Sequence, residues 1–355
     1  MPAFALEDRA AGVRHCRHTT MKVISTVALE PALREALAQA APGAEIIGRQ
    51  CRSNDEVLSL AAAGCDVMLG FRIPDNLLEH APGLKWIQLL SAGADHALTG
   101  SFKNPKIPIT TSSGIHATPI AEYTIGSMLA YAHRLHIAIR AQQRHQWNVR
   151  GGFMSSVDEL RGKTLGVIGY GSIGRETARL ADALGMPVIA LKRNPADRPD
   201  PGWCPAGLGD PEGKIPRKYF GPDDCEAVLR ESDYITVTLP LTAATRKFIG
   251  ANEIAAMKPE AYIVNIGRGE VIDERALIDA LKAGKIGGAG LDVFEHEPLE
   301  ADSPLWDLEN VILTPHISGA NRGYMVKACE LFAENLRRFA ANQPLLNVVD
   351  PVLGY

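Results

Sequence analysis

Three short stretches of this sequence carry side chains suited to proton and anion chemistry. They are Val264-Asn-Ile-Gly-Arg268-Gly-Glu, Gly290-Leu-Asp292-Val-Phe-Glu295-His-Glu297-Pro298 and Leu313-Thr-Pro-His316-Ile-Ser-Gly-Ala. An arginine presents a planar fork that grips a carboxylate and can polarise a neighbouring carbonyl. A histidine near neutrality can give or take a proton, and a carboxylate beside it can orient the ring and balance its charge. Arg268, a glutamate and His316 together therefore suit the reduction of a carbonyl that lies next to a carboxylate. Glu295 and Glu297 compete for the place beside the histidine.

A fourth stretch, Gly169-Tyr-Gly171-Ser-Ile-Gly174, follows the apolar run Leu165–Ile168 and opens a helical pattern. This is the context a dinucleotide fingerprint requires. Gly169 permits the tight turn, Gly171 lets backbone N–H groups approach a pyrophosphate, and Gly174 lets the helix pack close to its strand. The helix N-terminus adds partial positive charge at the phosphates. The next strand ends Val188-Ile-Ala-Leu-Lys192-Arg193-Asn194, with cations where an NAD enzyme places an acid for the ribose 2′-hydroxyl. Arginine pairs with a 2′-phosphate and an acid would repel it, so NADP(H) is the favoured cofactor, with NAD(H) an alternative.

The elements that must position these residues alternate short apolar runs with helical patterns from Met21 onward. Strands are expected at Val23–Val27, Ala44–Ile47, Asp66–Gly70 and Leu84–Leu90, with helices at Pro31–Ala41 and near Asp55–Ala63. Thr118–Ile139 reads as one long helix linking this first unit to a second. The second unit carries strands at Leu165–Gly169, Val188–Leu191, Tyr234–Leu239, Tyr262–Ile266, Gly288–Asp292 and Val311–Thr314, and a last helix over roughly 322–341 can cross back to the first unit. Alternating strands and helices mean parallel βαβ units, whose carboxyl ends open on a common crevice. The expected division is 1–20 as a disordered extension, 21–117 with 316–355 as one lobe, and 118–315 as the other. Between Pro195 and Pro222 stand seven prolines and five glycines, which excludes regular structure there and marks a long irregular loop.

Composition bounds the remainder. The 355 residues are 46% hydrophobic and 22% charged, the balance of a soluble globular protein of two domains. A net charge of −4 offers no basic footprint for nucleic acid, and no apolar run is long enough to span a membrane. The six cysteines show no metal-ligand spacing, so no metal is expected, and they read as reduced thiols of a cytoplasmic protein.

Taken together, the glycine-rich turn, Leu239-Pro-Leu-Thr-Ala-Ala-Thr245, Gly267-Arg268-Gly269, the Asp292–Pro298 run and Pro315-His316 resemble, in order, the D-isomer-specific 2-hydroxyacid dehydrogenase family. That family includes glyoxylate/hydroxypyruvate reductases and phosphoglycerate dehydrogenases. The resemblance implies two doubly wound α/β lobes, a Rossmann dinucleotide-binding domain and a smaller flavodoxin-like substrate domain. It further implies that Arg268 binds substrate, that His316 is the acid/base, that Glu297 is its partner, and that Asp292 holds the nicotinamide carboxamide. Ser91-Ala-Gly-Ala-Asp-His96 resembles the family's substrate loop, with the N–H groups of Ala92 and Gly93 offered to the carboxylate of a small 2-keto acid. Cofactor contacts would come from Gly169, Gly171, Ser172, Ile173 and Gly174, and from Lys192 and Arg193. Leu239, Pro240, Thr245, Ile266 and Gly267 would supply others, together with Arg268, Asp292 and His316. Members of the family dimerise through the region of the linking helix, so a homodimer is expected. Formate dehydrogenases resembling the family are disfavoured, because that branch has glutamine where Glu297 stands. The rival from another class is a corepressor-like protein that binds the dinucleotide as a sensor. Arg72, in Gly70-Phe-Arg-Ile-Pro74, either reaches the far end of a substrate or is a solvated cation, and His96, His116 and His133 are expected in structural or surface roles.

Overall fold

The computed structural model describes residues 20–351 apart from 95, 104, 148–151 and 153–155, so the expected extension at 1–20 lies, but for its last residue, outside the described residues. Two parallel sheets organise the chain. The first contains β1 (Lys22–Ser25), β2 (Glu45–Gly48), β3 (Val67–Gly70), β4 (Trp86–Leu89) and β5 (Ile109–Thr110), in the order β2-β1-β3-β4-β5. This is the flavodoxin-like strand order. The second contains β6 (Leu165–Ile168), β7 (Val188–Leu191), β8 (Lys218–Phe220), β9 (Tyr234–Val237), β10 (Tyr262–Asn265), β11 (Gly288–Leu291) and β12 (Val311–Leu313). Its order, β12-β11-β10-β9-β6-β7-β8, is that of a doubly wound dinucleotide-binding sheet with a seventh strand added.

Local chemistry explains the elements. The central strands are four-residue, mostly apolar runs buried on both faces, as a parallel sheet covered by helices requires. Pro31 opens the helix Pro31–Ala40 at its first turn, and the Ser53 hydroxyl accepts from Glu56 N–H to cap Asn54–Ala62. The final helix, Tyr324–Ala340, returns to the first sheet and packs against Pro31–Ala40. Its Phe332 ring lies 5.3 Å from that of Trp86, and both side chains are fully buried. Such an aromatic pair contributes about 0.5–1.5 kcal/mol beyond its buried area. Beyond the helix, Val348 bridges antiparallel to Thr110.

Two expectations are corrected. The linking helix is divided into Ala117–Ala132 and Leu135–Gln143, because Arg134 adopts a left-handed φ of 55°. Tertiary contacts hold that break: the Arg134 guanidinium lies over the Tyr131 ring at 4.7 Å and its Nε donates to Ser156 O at 3.1 Å. The segment 195–222 also contains a regular element, the edge strand β8, which pairs with β7 over the proline-free residues Lys218–Phe220. Among the described residues, no helix is long and apolar enough to cross a membrane.

Candidate active site

The dinucleotide turn sits at the topological switch point, where β6 pairs with β7 on one side and β9 on the other. Gly169 has a left-handed φ of 100°, which only glycine adopts without strain. A β-carbon at Gly174 would overlap the Gly169 carbonyl oxygen, so glycine is required there for the helix Ser172–Ala183 to approach its strand. Gly171 is exposed and faces open space, and the first N–H groups of the helix follow at Ser172 and Ile173. That combination fits a pyrophosphate group of a dinucleotide. The Thr238 hydroxyl donates to Gly169 O at 2.5 Å, tying the ends of β6 and β9 together. Below it, Gly267 packs against the backbone of Leu239, while Ile266 is buried and donates its N–H to Val237 O. Thr245 Oγ1 donates to Pro240 O at 2.6 Å and closes the loop after β9.

At the end of β7, Arg193 is exposed, whereas Lys192 is half-buried and turns its Nζ to Asp197 O. Burial, with the positive charge of Arg175 adding to it, holds the Lys192 ammonium below its ordinary pKa. Of the two cations, Arg193 is the one presented to solvent beside the turn.

Arg268, Asp292 and His316 follow β10, β11 and β12, three adjacent strands, so their loops lie side by side at one edge of the sheet. Gly269 abuts the backbone of Phe294, which locks the arginine turn to the loop leading from Asp292 to Glu297. Arg268 Nη1 donates to Gly267 O at 2.9 Å, and Asn265 Nδ2 donates to Arg268 O at 3.1 Å. Glu297 Oε2 lies 2.8 Å from His316 Nδ1, and its Oε1 accepts from Phe294 N–H. Glu295 points elsewhere: its carboxylate accepts from Glu274 N–H and lies 3.6 Å from Lys247 Nζ. The geometric partner of His316 is thus Glu297. Asp292 is completely buried, and its Oδ1 and Oδ2 accept from Ile317 and Ser318 N–H at 2.9 and 2.8 Å.

The first sheet approaches this region through the loop after β4. The loop after β4 carries Ala92 and Gly93, and the Ser91 hydroxyl donates to Gly93 O at 2.8 Å. The Tyr324 hydroxyl, just beyond the His316 loop, donates to Leu90 O and so joins the two loops. Tyr324 also stacks on Phe71 and lies 5.2 Å from the His116 ring, which in turn adjoins Gly319. Sequence reading missed Phe71 and Tyr324 because aromatic residues at element ends carry no periodic signal. His116, expected in a structural or surface role, packs between Tyr324 and Gly319. His96 is structural as expected, its Nε2 within 3.1 Å of Phe71 O, and His133 and Arg72 are exposed.

The proline-rich segment fastens itself across both halves. Arg175, almost fully buried, donates to the carbonyls of Asp210 and Arg198 and lies 3.2 Å from the Asp200 carboxylate. The wholly buried Glu176 accepts from Gly209 N–H, and Asp210 accepts from the Tyr170 hydroxyl at 2.7 Å. On the other side, Trp203 packs against the core of the first sheet, with its N–H donating to Asn347 Oδ1 and its carbonyl set over Gly114.

The family described as D-isomer specific 2-hydroxyacid dehydrogenase, NAD binding domain, matches residues 125–318. The chain belongs to this family. It is 35% identical over 287 residues to a glyoxylate reductase of Aeropyrum pernix, covering 80% of this chain and 81% of that protein. Among solved structures, it resembles an NADPH-dependent glyoxylate/hydroxypyruvate reductase of Sinorhizobium meliloti in complex with NADP and sulfate, with 27% identity and a TM-score of 0.72 over 95% of this chain and 100% of that one. A D-isomer specific 2-hydroxyacid dehydrogenase of Xanthobacter autotrophicus in complex with NADPH is similar at 28% identity and a TM-score of 0.74, over 95% and 100% of the two chains. In this 2-hydroxyacid dehydrogenase, the matched residues run from the linking helix to Ser318 and include the glycine-rich turn, Arg268, Glu297 and His316.

Proposed function

We propose that this chain reduces a small 2-keto acid of the glyoxylate or hydroxypyruvate kind to the D-2-hydroxy acid, with NADPH preferred over NADH. The observation that carries the reading is the 2.8 Å contact between His316 Nδ1 and Glu297 Oε2 at the edge of a sheet whose switch point bears the dinucleotide turn. With Nδ1 directed at the carboxylate, Nε2 remains to face a substrate oxygen. Arg268 holds the substrate carboxylate together with the N–H groups of Ala92 and Gly93. His316 delivers a proton to the C2 carbonyl oxygen, and Glu297 keeps the ring oriented and offsets its charge. NADPH, when bound, supplies the hydride. Its phosphates are assigned to Gly171, Ser172 and Ile173, its 2′-phosphate to Arg193 with Lys192 behind it, and its nicotinamide end to the neighbourhood of Ile266, Gly267 and Asp292. Leu239, Pro240 and Thr245 flank the same crevice.

In this reading, residues 21–117 with 316–355 form the substrate lobe and 118–315 the cofactor lobe. A homodimer is supported by the exposed Leu135, Ile139, Trp147 and Val157 on and beside the second linking helix. A cytoplasmic location is supported by the free thiols of Cys51, Cys65, Cys204, Cys225 and Cys329.

The test is spectrophotometric: NADPH oxidation with glyoxylate, hydroxypyruvate, pyruvate and longer 2-keto acids. Turnover with at least one of them supports a dehydrogenase. Tight dinucleotide binding without turnover on any would favour the sensor reading instead.

A further inference from the structure

The linking helix Ala117–Ala132 and strand β11 meet through two matched ladders. Tyr123, Ser127 and Tyr131 recur every four residues and so share one helix face. Gly288, Gly290 and Asp292 alternate along β11 and so share one sheet face. The two glycines leave room for the helix: a β-carbon at Gly288 would meet the Tyr131 ring, and one at Gly290 would overlap the Ser127 hydroxyl. Ser127 Oγ lies 2.9 Å from the Tyr262 hydroxyl of β10, which fixes the helix to the sheet at its middle. The third rung is polar. Tyr123 OH lies 2.7 Å from Thr314 Oγ1, and Thr314 Oγ1 donates to Asp292 Oδ1 at 2.5 Å.

The direction of these bonds is determined by counting protons. Thr314 has one hydroxyl proton and gives it to Asp292, so Tyr123 must be the donor to Thr314. Burial pushes the Tyr123 phenol up to about 12, so the donor stays protonated across the working range of pH. Asp292 in turn holds the loop that follows. Its carboxylate accepts from Ile317 and Ser318 N–H, and its carbonyl accepts from His316 N–H at 2.9 Å. His316 itself has a left-handed φ of 55°, a conformation that a residue with a side chain keeps only when its surroundings enforce it.

We infer that Tyr123 is a positioning residue for His316, acting through Thr314 and Asp292 to hold the left-handed turn that aims the imidazole at Glu297 and into the crevice. The inference rests on the reading of His316 as the proton donor. It goes beyond that reading by making the orientation of the histidine depend on a hydroxyl anchored in the helix that joins the two sheets.

The experiment compares Tyr123→Phe, Thr314→Val, Thr314→Ser and the double variant Tyr123→Phe/Thr314→Val in the full-length protein. Readouts are kcat and its pH profile for keto-acid reduction, the Kd for NADPH by fluorescence titration, and Tm. Tyr123→Phe keeps the ring and its packing, and is expected to lower kcat about fivefold, the effect of one neutral hydrogen bond. The pH profile should shift, while the Kd and Tm stay near wild type. Thr314→Ser should retain most of kcat, and Thr314→Val should lose at least as much as Tyr123→Phe. The double variant should be no worse than Thr314→Val alone, since both changes cut one chain. Wild-type kcat and pH profile in Tyr123→Phe, a fall in Tm with an unmoved pH profile, or additive losses in the double variant would each overturn the inference. His316→Ala separates the two readings: full turnover in that variant would refute the proton-donor assignment itself, whatever Tyr123→Phe does.

Discussion

No side chain fits at Gly269, because the backbone carbonyl of Phe294 occupies the place where its β-carbon would stand. The contact joins the turn bearing Arg268 to the loop bearing Glu297, so the arginine turn and the loop of the histidine's partner are packed backbone to backbone. Overpacking of this kind costs about 1–3 kcal/mol when the neighbours can shift. Here the neighbour is backbone. Gly269→Ala is expected to lower the urea midpoint and to reduce kcat/KM for the keto acid by more than it changes NADPH affinity. Urea unfolding and steady-state kinetics on the same preparation check both parts.

Cofactor choice turns on the end of β7. Arg193 is exposed there while Lys192 is half-buried, so the arginine is expected to make the main contact with a 2′-phosphate. Arg193→Ala should weaken kcat/KM with NADPH by roughly ten- to a hundredfold, the effect of one charge-assisted hydrogen bond, and leave NADH use almost unchanged. Equal effects on both cofactors would contradict this assignment.

The two glutamates are separated by what their carboxylates face. Glu297→Gln keeps the shape of the 2.8 Å contact with His316 Nδ1 and removes its charge, and should lower kcat/KM for keto-acid reduction roughly ten- to a hundredfold, the effect of one charge-assisted hydrogen bond. Glu295→Gln should leave kcat/KM near the wild-type value, because that carboxylate faces Glu274 and Lys247. Steady-state kinetics of the two variants decide between the glutamates.

Burial holds the His116 imidazole below its ordinary pKa, and the positive charge of Lys327 adds to the effect. As pH falls, the unfolded chain takes up this proton before the native protein does. The stability that the neutral ring contributes is therefore complete above an unfolded value of about 6.5, and is lost as pH drops through and below it. The urea midpoint should fall between about pH 7.5 and about pH 5.5 in the wild type, and fall less in His116→Asn, which has no proton to gain. Parallel slopes for the two proteins would remove His116 from the account.

The apolar residues left exposed on and beside the helix Leu135–Gln143 lead to an expectation about assembly. Leu135 and Ile139 are about half exposed, and Trp147 is 86% exposed. Light scattering at micromolar concentration is expected to give twice the chain mass, and Ile139→Glu is expected to shift it toward a single chain. A wild-type mass equal to one chain would show that these residues face solvent.

The placement of the short motifs at strand ends was legible in the sequence. The glycine-rich turn, Gly267-Arg268-Gly269 and Pro315-His316 each combine a local backbone requirement with a reactive side chain, and local requirements leave a local signature. Strand positions were legible for the same reason, since a four-residue buried run such as Leu165–Ile168 has little alternative. The break at Arg134 was hidden, because neither proline nor glycine marks it and the contacts that hold it come from Tyr131 and from Ser156, which lies 22 residues away. The strand Lys218–Phe220 was hidden by the prolines around it. The choice between Glu295 and Glu297 depended on where two side chains two residues apart point after a turn. The rung formed by Tyr123, Thr314 and Asp292 spans 191 residues of sequence between its first two members, and only the fold reveals it.

The proline-rich segment makes a second connection between the two sheets, beyond the linking helix. Trp203 packs against the first sheet's core at Gly114 and Asn347, close to where the chain enters the helix Ala117–Ala132 on its way to the second sheet. Arg175 and Glu176 hold the segment to the dinucleotide helix on both sides of Trp203, at Arg198 and Gly209. The segment therefore forms a second strap between the two sheets, alongside the chain's own crossing, and a cut within it would leave both ends anchored.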